Sequence, residues 1–427
     1  MEKSLQTLPK KKPAKEEAVG KFLLLAFRNI FRNRRRTLMT LMMVGGGVAG
    51  LLLAGGYFAF MTHGLREDTI NSGLGHIQIF SAEQFQRDEV RVLDSGLENW
   101  RQVAAAVTTG GHVRGVAPRI DFYGMVSNGT KAEGFMGSGV DPAAEASLGF
   151  ITRISKGRDL DPKPSGEVEA LIGAGMAKSM NVTVGDGLTV LAMTSDGALN
   201  GVDVQIVGIV NTGVPERDAR YLRITLASTQ RLLQSDRVTN LVVGLDNTDN
   251  TDRVAAELAP RLQGLPQKME LKKWIDLATY YKQVNTMFNG IFLFMGVIVF
   301  FMVLMSSVNT LLMSMFERTR EIGTMLAMGT PRGWIVALFM LEATLLGVTG
   351  AIVGVVGGNL LGMLLNVSGL HMPPPPGYSS PIPFKVLHVP AQMITSSVLV
   401  IFSMAIASIL PAIRASRLQI AEALAHV

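Results

Sequence analysis

Four long stretches with almost no charged residues dominate the pattern of hydrophobic and polar positions along the chain. No Lys, Arg, Asp or Glu occurs between residues 36 and 66, at 283–316 or at 386–413, and the stretch 334–370 contains only Glu342. Each stretch is longer than the roughly 20 residues that an α-helix needs to cross a hydrocarbon core about 30 Å thick. The pattern therefore predicts four transmembrane helices, at residues 37–61, 283–316, 334–370 and 391–413.

An insertion of about 200 residues, at 71–267, separates the first two predicted spans and is long enough for one large domain or two small ones. Within it, segments whose apolar residues recur at the spacing of a strand alternate with segments whose apolar residues recur at the spacing of a helix. Strands are predicted at His76–Phe80, as the edge of a sheet, and at Leu188–Leu191, Val202–Val210, Tyr221–Thr225 and Asn240–Leu245, and helices at Ala170–Met180, Ser228–Leu233 and Asp252–Leu262. The mixture predicts an extracytoplasmic α+β domain, which together with the ends of the flanking helices occupies residues 62–282.

Composition places the chain among membrane proteins. Hydrophobic residues make up 48% and charged residues 17% of the sequence, with a mean hydropathy of +0.30, whereas an ordinary soluble chain carries about 25% charge. There is no Cys, so a disulfide framework and a thiolate metal site are excluded. We do not expect a cleaved signal peptide, because its apolar region would be only about 7–15 residues long.

The net charge of +6 comes largely from Lys and Arg residues close to the predicted span ends. They gather in the N-terminal segment, in the loop after the second span and at the C-terminus. The positive-inside rule then places both termini and the loop 317–333 in the cytoplasm, and the inserted domain and the Pro-rich loop 371–390 on the other side of the membrane. Because these basic residues are juxtamembrane, nucleic acid is not an expected partner.

The terminal segments have their own patterns. Residues 1–20, rich in Lys, Glu and Pro, are predicted to form a disordered tail, and residues 414–427 form a second cytoplasmic tail. In residues 21–36, Lys and Arg recur on one side of a helix and Leu, Ile and Phe on the other. This pattern predicts an amphipathic helix that lies on the membrane surface and contacts its lipids.

The second uncharged stretch predicts a stalk. As a helix, its 34 residues at 283–316 would extend about 50 Å, well beyond the hydrocarbon core. Upstream, Leu277, Tyr281, Val284 and Phe288 keep a spacing of three to four residues, as in a helix that packs against a partner. We expect the first span to continue in the same way, so that two stalks connect the membrane with the inserted domain. A strongly tilted span is the alternative.

The loop between the second and third spans, at 317–333, predicts one exposed helix of two or three turns. Gly329 and Pro331 would end it, because Gly tolerates a left-handed cap and Pro cannot continue the hydrogen-bond ladder. A short charged helix on the membrane surface is a site on which another protein can act. The predicted contact residues are Glu317, Arg318, Arg320, Glu321, Ile322, Gly323, Met325, Gly329 and Pro331, with Leu326 completing the apolar side.

The same loop carries a resemblance to a known family. Its sequence fits E-R-x-x-E-I-G-x-x-x-A-x-G and resembles the loop that contacts the ATPase in permeases of the MacB, LolC, LolE and FtsX superfamily of ABC transporters. The likeness, which is greatest to LolC-like and LolE-like permeases, extends over most of the chain. The other matching segments are Gly75–Ile79, Ala170–Gly173, Val184–Asp186, Val207–Val210, Thr212–Gly213, Glu342, Pro411–Arg417 and Glu422–Leu424.

The resemblance implies the permease subunit of an ATP-driven transporter. Its expected partners are a cytoplasmic ABC ATPase and a second permease subunit, in a homodimer or heterodimer, with a periplasmic adaptor or chaperone as a further candidate. Closure of the ATPases would press on residues 317–333, and the stalks would transmit the motion. Residues 21–36 become a second candidate contact for the ATPase, and a variable lobe of the domain is expected at 124–163.

The resemblance leaves the cargo open among a lipoprotein, a lipid, a peptide and a hydrophobic compound. The alternative function is that of an FtsX-like signalling subunit, which regulates envelope hydrolases. A stand-alone channel is disfavoured because no charged pore lining is present.

No motif predicts catalysis or the binding of a cofactor or a metal. Gly173–Ser179 resembles a phosphate loop, but Ile172 and Ala177 stand where G-x-x-x-x-G-K-[ST] requires glycines. No G-x-S-x-G occurs, and no two of the six His residues are four positions apart, so a zinc site is not expected. We therefore predict that the chain is not an enzyme and that a separate subunit hydrolyses ATP.

Polar and small residues within the spans have two interpretations each. Glu342 is the only acidic residue inside a span, where a carboxylate is either paired with a neighbour or coupled to gating. Glycines four residues apart, at Gly46 and Gly50 and from Gly350 to Gly362, predict close helix packing, within one subunit or between two. Residues 373–376 are four prolines, which predict a stiff connector.

Overall fold

The computed structural model describes residues 34–84, 93–162, 166–373, 381–420 and 423. The predicted tail at 1–20, most of the amphipathic helix at 21–36, most of the proline run and part of the C-terminal tail lie outside these residues. The chain forms two compact units. The first contains the residues up to Met61, Asn285–Leu370 and the residues from Pro383 onward, and the second contains Thr62–Val284 and His371–Ile382.

The described elements follow one another along the chain as twelve helices and twelve strands, with two additional turns. The helices are α1 (Arg34–Thr69), α2 (Trp100–Thr108), α3 (Pro142–Leu148), α4 (Ala174–Met180), α5 (Pro215–Asp218), α6 (Leu226–Leu233), α7 (Thr251–Gln263), α8 (Trp274–Leu277), α9 (Thr279–Glu317), α10 (Thr319–Ala327), α11 (Arg332–Val367) and α12 (Pro390–Ser416). The strands are β1 (Ile77–Ser81), β2 (Val113–Ser127), β3 (Ala132–Val140), β4 (Ile154–Gly157), β5 (Val168–Gly173), β6 (Gly187–Met193), β7 (Leu199–Val210), β8 (Tyr221–Thr225), β9 (Asn240–Leu245), β10 (Met269–Lys273), β11 (His371–Met372) and β12 (Ile382–Pro383). A π-helical turn at Ile70–Leu74 follows α1, and a 3-10 turn at Thr248–Asn250 precedes α7.

Four helices, α1, α9, α11 and α12, are long and apolar enough to cross a membrane. Each begins or ends a few residues outside the predicted span, because charged residues at the span ends continue the helical turns. In the first unit their buried side chains meet in a core that contains Val48, Val303 and Met404. This core fixes the helices against one another within the unit.

The second unit has the predicted α+β class. Ten strands form one mixed sheet in the order β10-β1-β9-β2-β3-β8-β5-β7-β4, with β6 paired with β2 and β7, and β11 pairs with β12 separately. The pairs β3–β8 and β5–β7 are parallel. Fully buried side chains such as Ile79, Ile172 and Leu222 belong to the core on this sheet. The bounds predicted for β8 and β9 agree with those observed.

The helix predicted at Ala170–Met180 is wrong in its first half. Val168–Gly173 is strand β5, and α4 starts only at Ala174. The strand is held between β7 and β8, and its residues from Glu169 to Gly173 are buried. Because a short run of buried residues has no polar positions that repeat at the period of a strand or a helix, the sequence pattern did not distinguish strand β5 from the helix that follows it.

The position of the first strand also needs correction. His76–Phe80 was predicted at the edge of a sheet, but β1 is paired on both sides, with β9 and β10. The partner β10 was not predicted, because Met269–Lys273 is short and contains Lys and Glu.

The domain between the first two long helices extends beyond the predicted range of 71–267, because β10 ends at Lys273. Residues 124–162 belong to the same sheet and the same compact unit, so they do not form the separate lobe that was expected at 124–163.

The stalk helix predicted upstream of the second span is interrupted. Trp274–Leu277 is a separate turn, α8, and Ala278 has non-helical angles of φ −81° and ψ 65°. The long helix α9 therefore begins at Thr279, and Leu277 is not part of it. Tyr281, Val284 and Phe288 lie on α9, as expected.

Candidate functional site

The predicted contact helix between the second and third spans is α10. The preceding helix α9 ends at Glu317, and Arg318 has non-helical angles that turn the chain into Thr319. At the other end, Gly329 has a φ of +85°, in the left-handed region that favours glycine. Pro331 then caps the start of α11. These three positions set the length of α10.

One side of α10 is buried in the first unit. Ile322 is 1% exposed and packs with Met315, Ile335 and Phe339, and Met325 and Leu326 pack against the same cluster. This apolar side was predicted to face a partner, but the structure uses it to hold α10 against α11 and α12. Burial of this side makes α10 a fixed part of the unit.

Gly323 has a packing role. It is buried, and a Cβ atom at this position would lie 2.7 Å from the Cβ of Ala423. Only a residue without a side chain permits this approach. Ile322 and Gly323 are therefore interior residues, which corrects their assignment as surface contacts.

Arg318 anchors the start of α10 through two carboxylates. Its Nη1 lies 3.0 Å from Oε2 of Glu342, and its Nε lies 3.2 Å from Oε2 of Glu321. The side chains of Arg318 and Glu342 are only 12% and 9% exposed. Of the two interpretations of Glu342, pairing with a neighbour describes the structure. Arg318 was predicted to contact the ATPase, but the structure directs it inward.

A second ion pair joins the end of α9 to the start of α1. Arg36 donates a hydrogen bond from Nη2 to Oε1 of Glu317, although 281 positions separate the two residues. Both side chains are partly exposed. The basic segment before the first span is thus in direct contact with the predicted coupling segment.

The opposite side of α10 remains open. Arg320, Thr324 and Ala327 are exposed at helical spacing, and Met328, which follows them, is 79% exposed. Gly329 and Pro331 are also exposed. Of the predicted contact residues, the structure leaves Glu317, Arg320, Gly329 and Pro331 accessible, and the side chain of Glu321 is as exposed as that of Glu317. Sequence analysis missed Met328, although its position one turn after Thr324 could have indicated it.

The predicted stalk residues form two separate contacts. In the second unit, the rings of Tyr281 and Trp274 meet edge to face with their centroids 5.0 Å apart. In the first unit, Phe288 on α9 stacks on Phe58 of α1 at a centroid distance of 4.8 Å. Val284 is half-buried. Helices α1 and α9 therefore contact each other at Phe58 and Phe288, and the role of this contact in a stalk stays a prediction.

The glycines of α11 from Gly350 to Gly362 that were predicted to allow close packing contact residues of the same chain. A Cβ on Gly354 would lie 2.6 Å from the carbonyl oxygen of Gly45, and one on Gly350 would lie 2.4 Å from Cγ1 of Val44. These glycines let α11 approach α1. Gly46 and Gly50 are exposed, and a Cβ on either would meet no atom within 4 Å among the described residues. Packing within the subunit is thus observed for the first group only.

Two family models match the chain. The MacB-like periplasmic core domain matches residues 37–261, more than half of the 427 residues, and the FtsX-like permease C-terminal model matches residues 291–420. Within the described residues, no group of three or more His, Asp or Glu side chains is placed to hold a metal ion.

Three relatives show how far the likeness extends. The lipoprotein-releasing system transmembrane protein LolC of Xylella fastidiosa is 24% identical over 77% of this chain and 82% of its own length. LolE of Haemophilus influenzae is 25% identical over 77% of this chain and 81% of its own length. The macrolide export ATP-binding/permease protein MacB of Sodalis glossinidius is 24% identical over 83% of this chain but only 53% of its own length.

Four helices that are long and apolar enough to cross a membrane, with the short helix α10 between the second and the third, are the architecture of a membrane protein with several spans. The two family models, taken with these relatives, identify the class more closely. The chain belongs to the superfamily of ABC transporter permeases that includes MacB, LolC, LolE and FtsX.

Proposed function

We propose that this permease subunit couples ATP hydrolysis by a separate cytoplasmic ATPase to the release of a lipoprotein, or of cargo with similar lipid character, from a bacterial plasma membrane. The observation that carries the proposal is the way α10 is held. One side is fixed by Arg318, Glu342 and the Ile322 cluster, and the other side is free. A helix fixed in this way can pass a load from a partner to the helices behind it.

The free side of α10 supplies the ATPase contact in this proposal. Arg320 provides a charge and Met328 an exposed, flexible apolar side chain, a combination common at binding surfaces. Glu317 extends the surface toward Arg36 and the basic segment before α1. A load on this surface would reach α1, α9 and α11 together.

Two features support a separate ATPase. The 427 residues contain no G-x-x-x-x-G-K-[ST] sequence for binding ATP phosphates. One relative whose printed name includes ATP binding, MacB of Sodalis glossinidius, is matched over only 53% of its length.

A second permease subunit is part of the proposal, because four helices are few to enclose a pathway and Gly46 and Gly50 leave a face of α1 open.

The printed names of LolC and LolE favour lipoprotein as cargo, and their matches cover 77% of this chain. They favour transport over an FtsX-like signalling role. In the proposed topology both termini and α10 are cytoplasmic, and the second unit faces the periplasm or the cell exterior.

The test is a comparison of two methionine variants of the complete chain, produced together with its ATPase. Met328→Glu places a charge on the proposed contact, whereas the control Met193→Glu changes a methionine that is 59% exposed in the second unit. We expect Met328→Glu to reduce copurification of the ATPase and permease-dependent ATP turnover by about tenfold, since a buried unpaired charge costs more than 1.4 kcal/mol. Equal copurification and turnover in both variants would refute the assignment of α10.

A further inference from the structure

A cleft of about 620 Å³ opens in the second unit beside the segments that lead into and out of the sheet. Its walls come from the end of α1 and the turn after it, from residues 150–153, from α5 and β8, and from residues 277–281. The volume falls in the range of about 300–1,000 Å³ that is typical of small-molecule sites. None of the functions proposed above uses this cleft.

One wall of the cleft is apolar and accessible. Phe150 and Ile151 lie side by side on it, and Ile151 is 68% exposed. Tyr280, which is 52% exposed, also lines the cleft, as do Leu65 and Leu277. Large apolar side chains that face a cavity are typical of sites that bind hydrocarbon.

The other wall carries a buried positive charge. Arg223 is 7% exposed and lines the cleft. Its Nη1 donates to Oε2 of Glu145 at 3.1 Å and to Oγ1 of Thr152 at 3.3 Å, but its Nε has no hydrogen-bond partner within the described chain. A buried N–H group without an acceptor is costly, so it marks a place where a ligand oxygen can bind.

Glu145 cannot neutralise this charge alone, because it is shared by two guanidinium groups. Arg119 pairs with its other oxygen and also donates to the carbonyl oxygen of Gly73 at 2.5 Å. Burial would raise the pKa of Glu145, but the two arginines hold it below its usual value. Two guanidinium groups therefore share the single carboxylate with which they form ion pairs.

The rim adds a second unneutralised cation. Arg217 lines the cleft and is exposed, and its side chain forms no ion pair within the part of the chain that the structure describes. Arg153 also lines the cleft, but Asp68 pairs with it. Glu216 is the one remaining acidic residue of the described lining. The lining of the cleft thus holds three arginines and two carboxylates.

We propose that this cleft binds an amphiphile with one hydrocarbon chain and an anionic head. Arg217 and the free Nε of Arg223 bind the carboxylate or phosphate of the head, and the chain lies against Phe150, Ile151 and Tyr280. The site combines the two recognition elements that such a ligand needs, a guanidinium pair for an anion and an apolar wall for an alkyl chain. The proposal concerns the second unit alone and does not depend on the cargo or on the ATPase.

The ligand would act on the segments that connect this unit with α1 and α9. Thr69 and Leu74, from the first of these segments, and Ala278 and Tyr281, from the second, line the cleft. Arg119 ties the turn at Gly73 to the same Glu145 that holds Arg223. Occupancy of the cleft would therefore restrain the turn at Ile70–Leu74 and the break at Ala278.

The test uses the complete chain in nanodiscs of phosphatidylcholine, with a palmitic acid that carries a photoreactive diazirine as the probe. After irradiation, mass spectrometry of peptides locates the label. We expect enrichment in peptides that contain residues 148–153 and 277–281, and displacement by oleate or by lysophosphatidate but not by uncharged 1-monooleoylglycerol. Displacement by oleate alone identifies a carboxylate site, and displacement by lysophosphatidate alone identifies a phosphate site; both support the proposal.

Two pairs of variants separate the head and chain contacts from unfolding. Arg217→Gln should weaken labelling of the cleft about tenfold, the loss expected for one charge-assisted hydrogen bond, whereas Arg220→Gln, at an exposed arginine outside the cleft, should not. Ile151→Glu should abolish labelling, and Val184→Glu, also at an exposed apolar residue outside the cleft, should preserve it. Label confined to the membrane helices, equal displacement by the uncharged glyceride, or equal labelling of each variant and its control would overturn the proposal.

Discussion

Arg318 Nη1 lies 3.0 Å from Glu342 Oε2, and both side chains are about nine-tenths buried. This pair joins the start of α10 to the first third of the apolar helix α11. Without Glu342, the guanidinium would keep its charge in a buried setting with Glu321 as its remaining carboxylate partner. The pair therefore ties the proposed contact helix to the membrane helices at a fixed position.

The first prediction concerns the energy of this pair. Glu342→Ala should lower the free energy of unfolding by about 3 kcal/mol, because removal of one partner leaves a buried unpaired charge. The double variant Arg318→Met/Glu342→Leu should recover most of the loss, since neither charge remains. Thermal unfolding of the purified chain in detergent measures both effects.

The matched control is Glu317→Ala, which removes the partly exposed partner of Arg36. A partly exposed pair contributes less than about 1 kcal/mol. If Glu342→Ala and Glu317→Ala shift the unfolding temperature equally, the buried pair does not anchor α10.

The second prediction separates the two groups of glycines. Gly354→Ala should destabilise the chain by about 1–3 kcal/mol through overpacking, because its Cβ would lie 2.6 Å from the oxygen of Gly45. Gly46→Leu and Gly50→Leu should leave the unfolding temperature unchanged, because both positions are open. If these two glycines face the second permease subunit, the same variants will lower the dimer fraction in light scattering. An unchanged dimer fraction would assign the contact to another face.

The four long apolar helices could be predicted from the sequence, because uncharged runs of this length commonly form membrane-spanning helices. Strands β8 and β9 could be predicted for a related reason, since each is a short, mostly apolar run between turn residues. Strand β2, with 15 residues, was not predicted, because Arg119 and Asp121 interrupt its apolar pattern. Arg119 is paired with Glu145, and no local pattern signals an ion pair between residues distant in sequence.

The candidate site shows the same limit. The E-R-x-x-E-I-G sequence identified α10, but not which residues face a partner. Arg318 and Ile322 are turned inward by Glu342 on α11 and Phe339 beside it. Arg36 reaches Glu317 from the other end of the sequence. These contacts depend on how the helices pack, which a single sequence does not record.

The third prediction concerns pH. Nδ1 of His76 accepts a hydrogen bond from the backbone N–H of Leu245 at 3.1 Å, and its Nε2 lies 3.2 Å from Oγ1 of Thr248. Burial lowers the pKa of His76 below 6.5; Glu67 and Asp246 oppose this effect and Arg66 adds to it. The folded state thus binds fewer protons than the unfolded state at pH values just below 6.5. Stability is complete above that pH and falls as the pH decreases through this window.

Hydrogen exchange of the amides in 240–245, corrected for the intrinsic rate, should show this loss of protection between pH 7.5 and pH 5.5. His76→Asn keeps a side-chain acceptor but cannot titrate, so the protection of these amides from exchange should depend less on pH in this variant. The control His112→Asn, which removes a partly exposed contact with Asp246, should retain the wild-type fall. A steeper fall in His76→Asn would contradict the assignment.

The fourth prediction tests the proposed topology. The chain has no Cys, so a single introduced cysteine is the only residue of the chain that a maleimide labels. Cysteine at the exposed Asp196, in the second unit, should react with an impermeant maleimide in intact spheroplasts, and cysteine at Met328 should react only after permeabilisation. The reverse pattern would place α10 outside and refute the proposed ATPase contact.

The fifth prediction tests whether the stalks must move. Phe58 of α1 and Phe288 of α9 stack at a centroid distance of 4.8 Å, so in Phe58→Cys/Phe288→Cys a bifunctional methanethiosulfonate should bridge the two thiols through reducible bonds. If the stalks transmit the motion of the ATPases, this crosslink should stop substrate release while ATP still binds. Reduction of the crosslink should restore release.

The control for the crosslink is the cross-strand pair Tyr123→Cys/Met136→Cys. These residues lie directly opposite each other on β2 and β3, where the same reagent can bridge them and no relative motion is proposed. Release at the wild-type rate from a fully crosslinked Phe58→Cys/Phe288→Cys protein would show that the two helices act as a static support. A loss of release in the control as well would mean that the reagent itself, and not the crosslink between the stalks, inhibits the transporter.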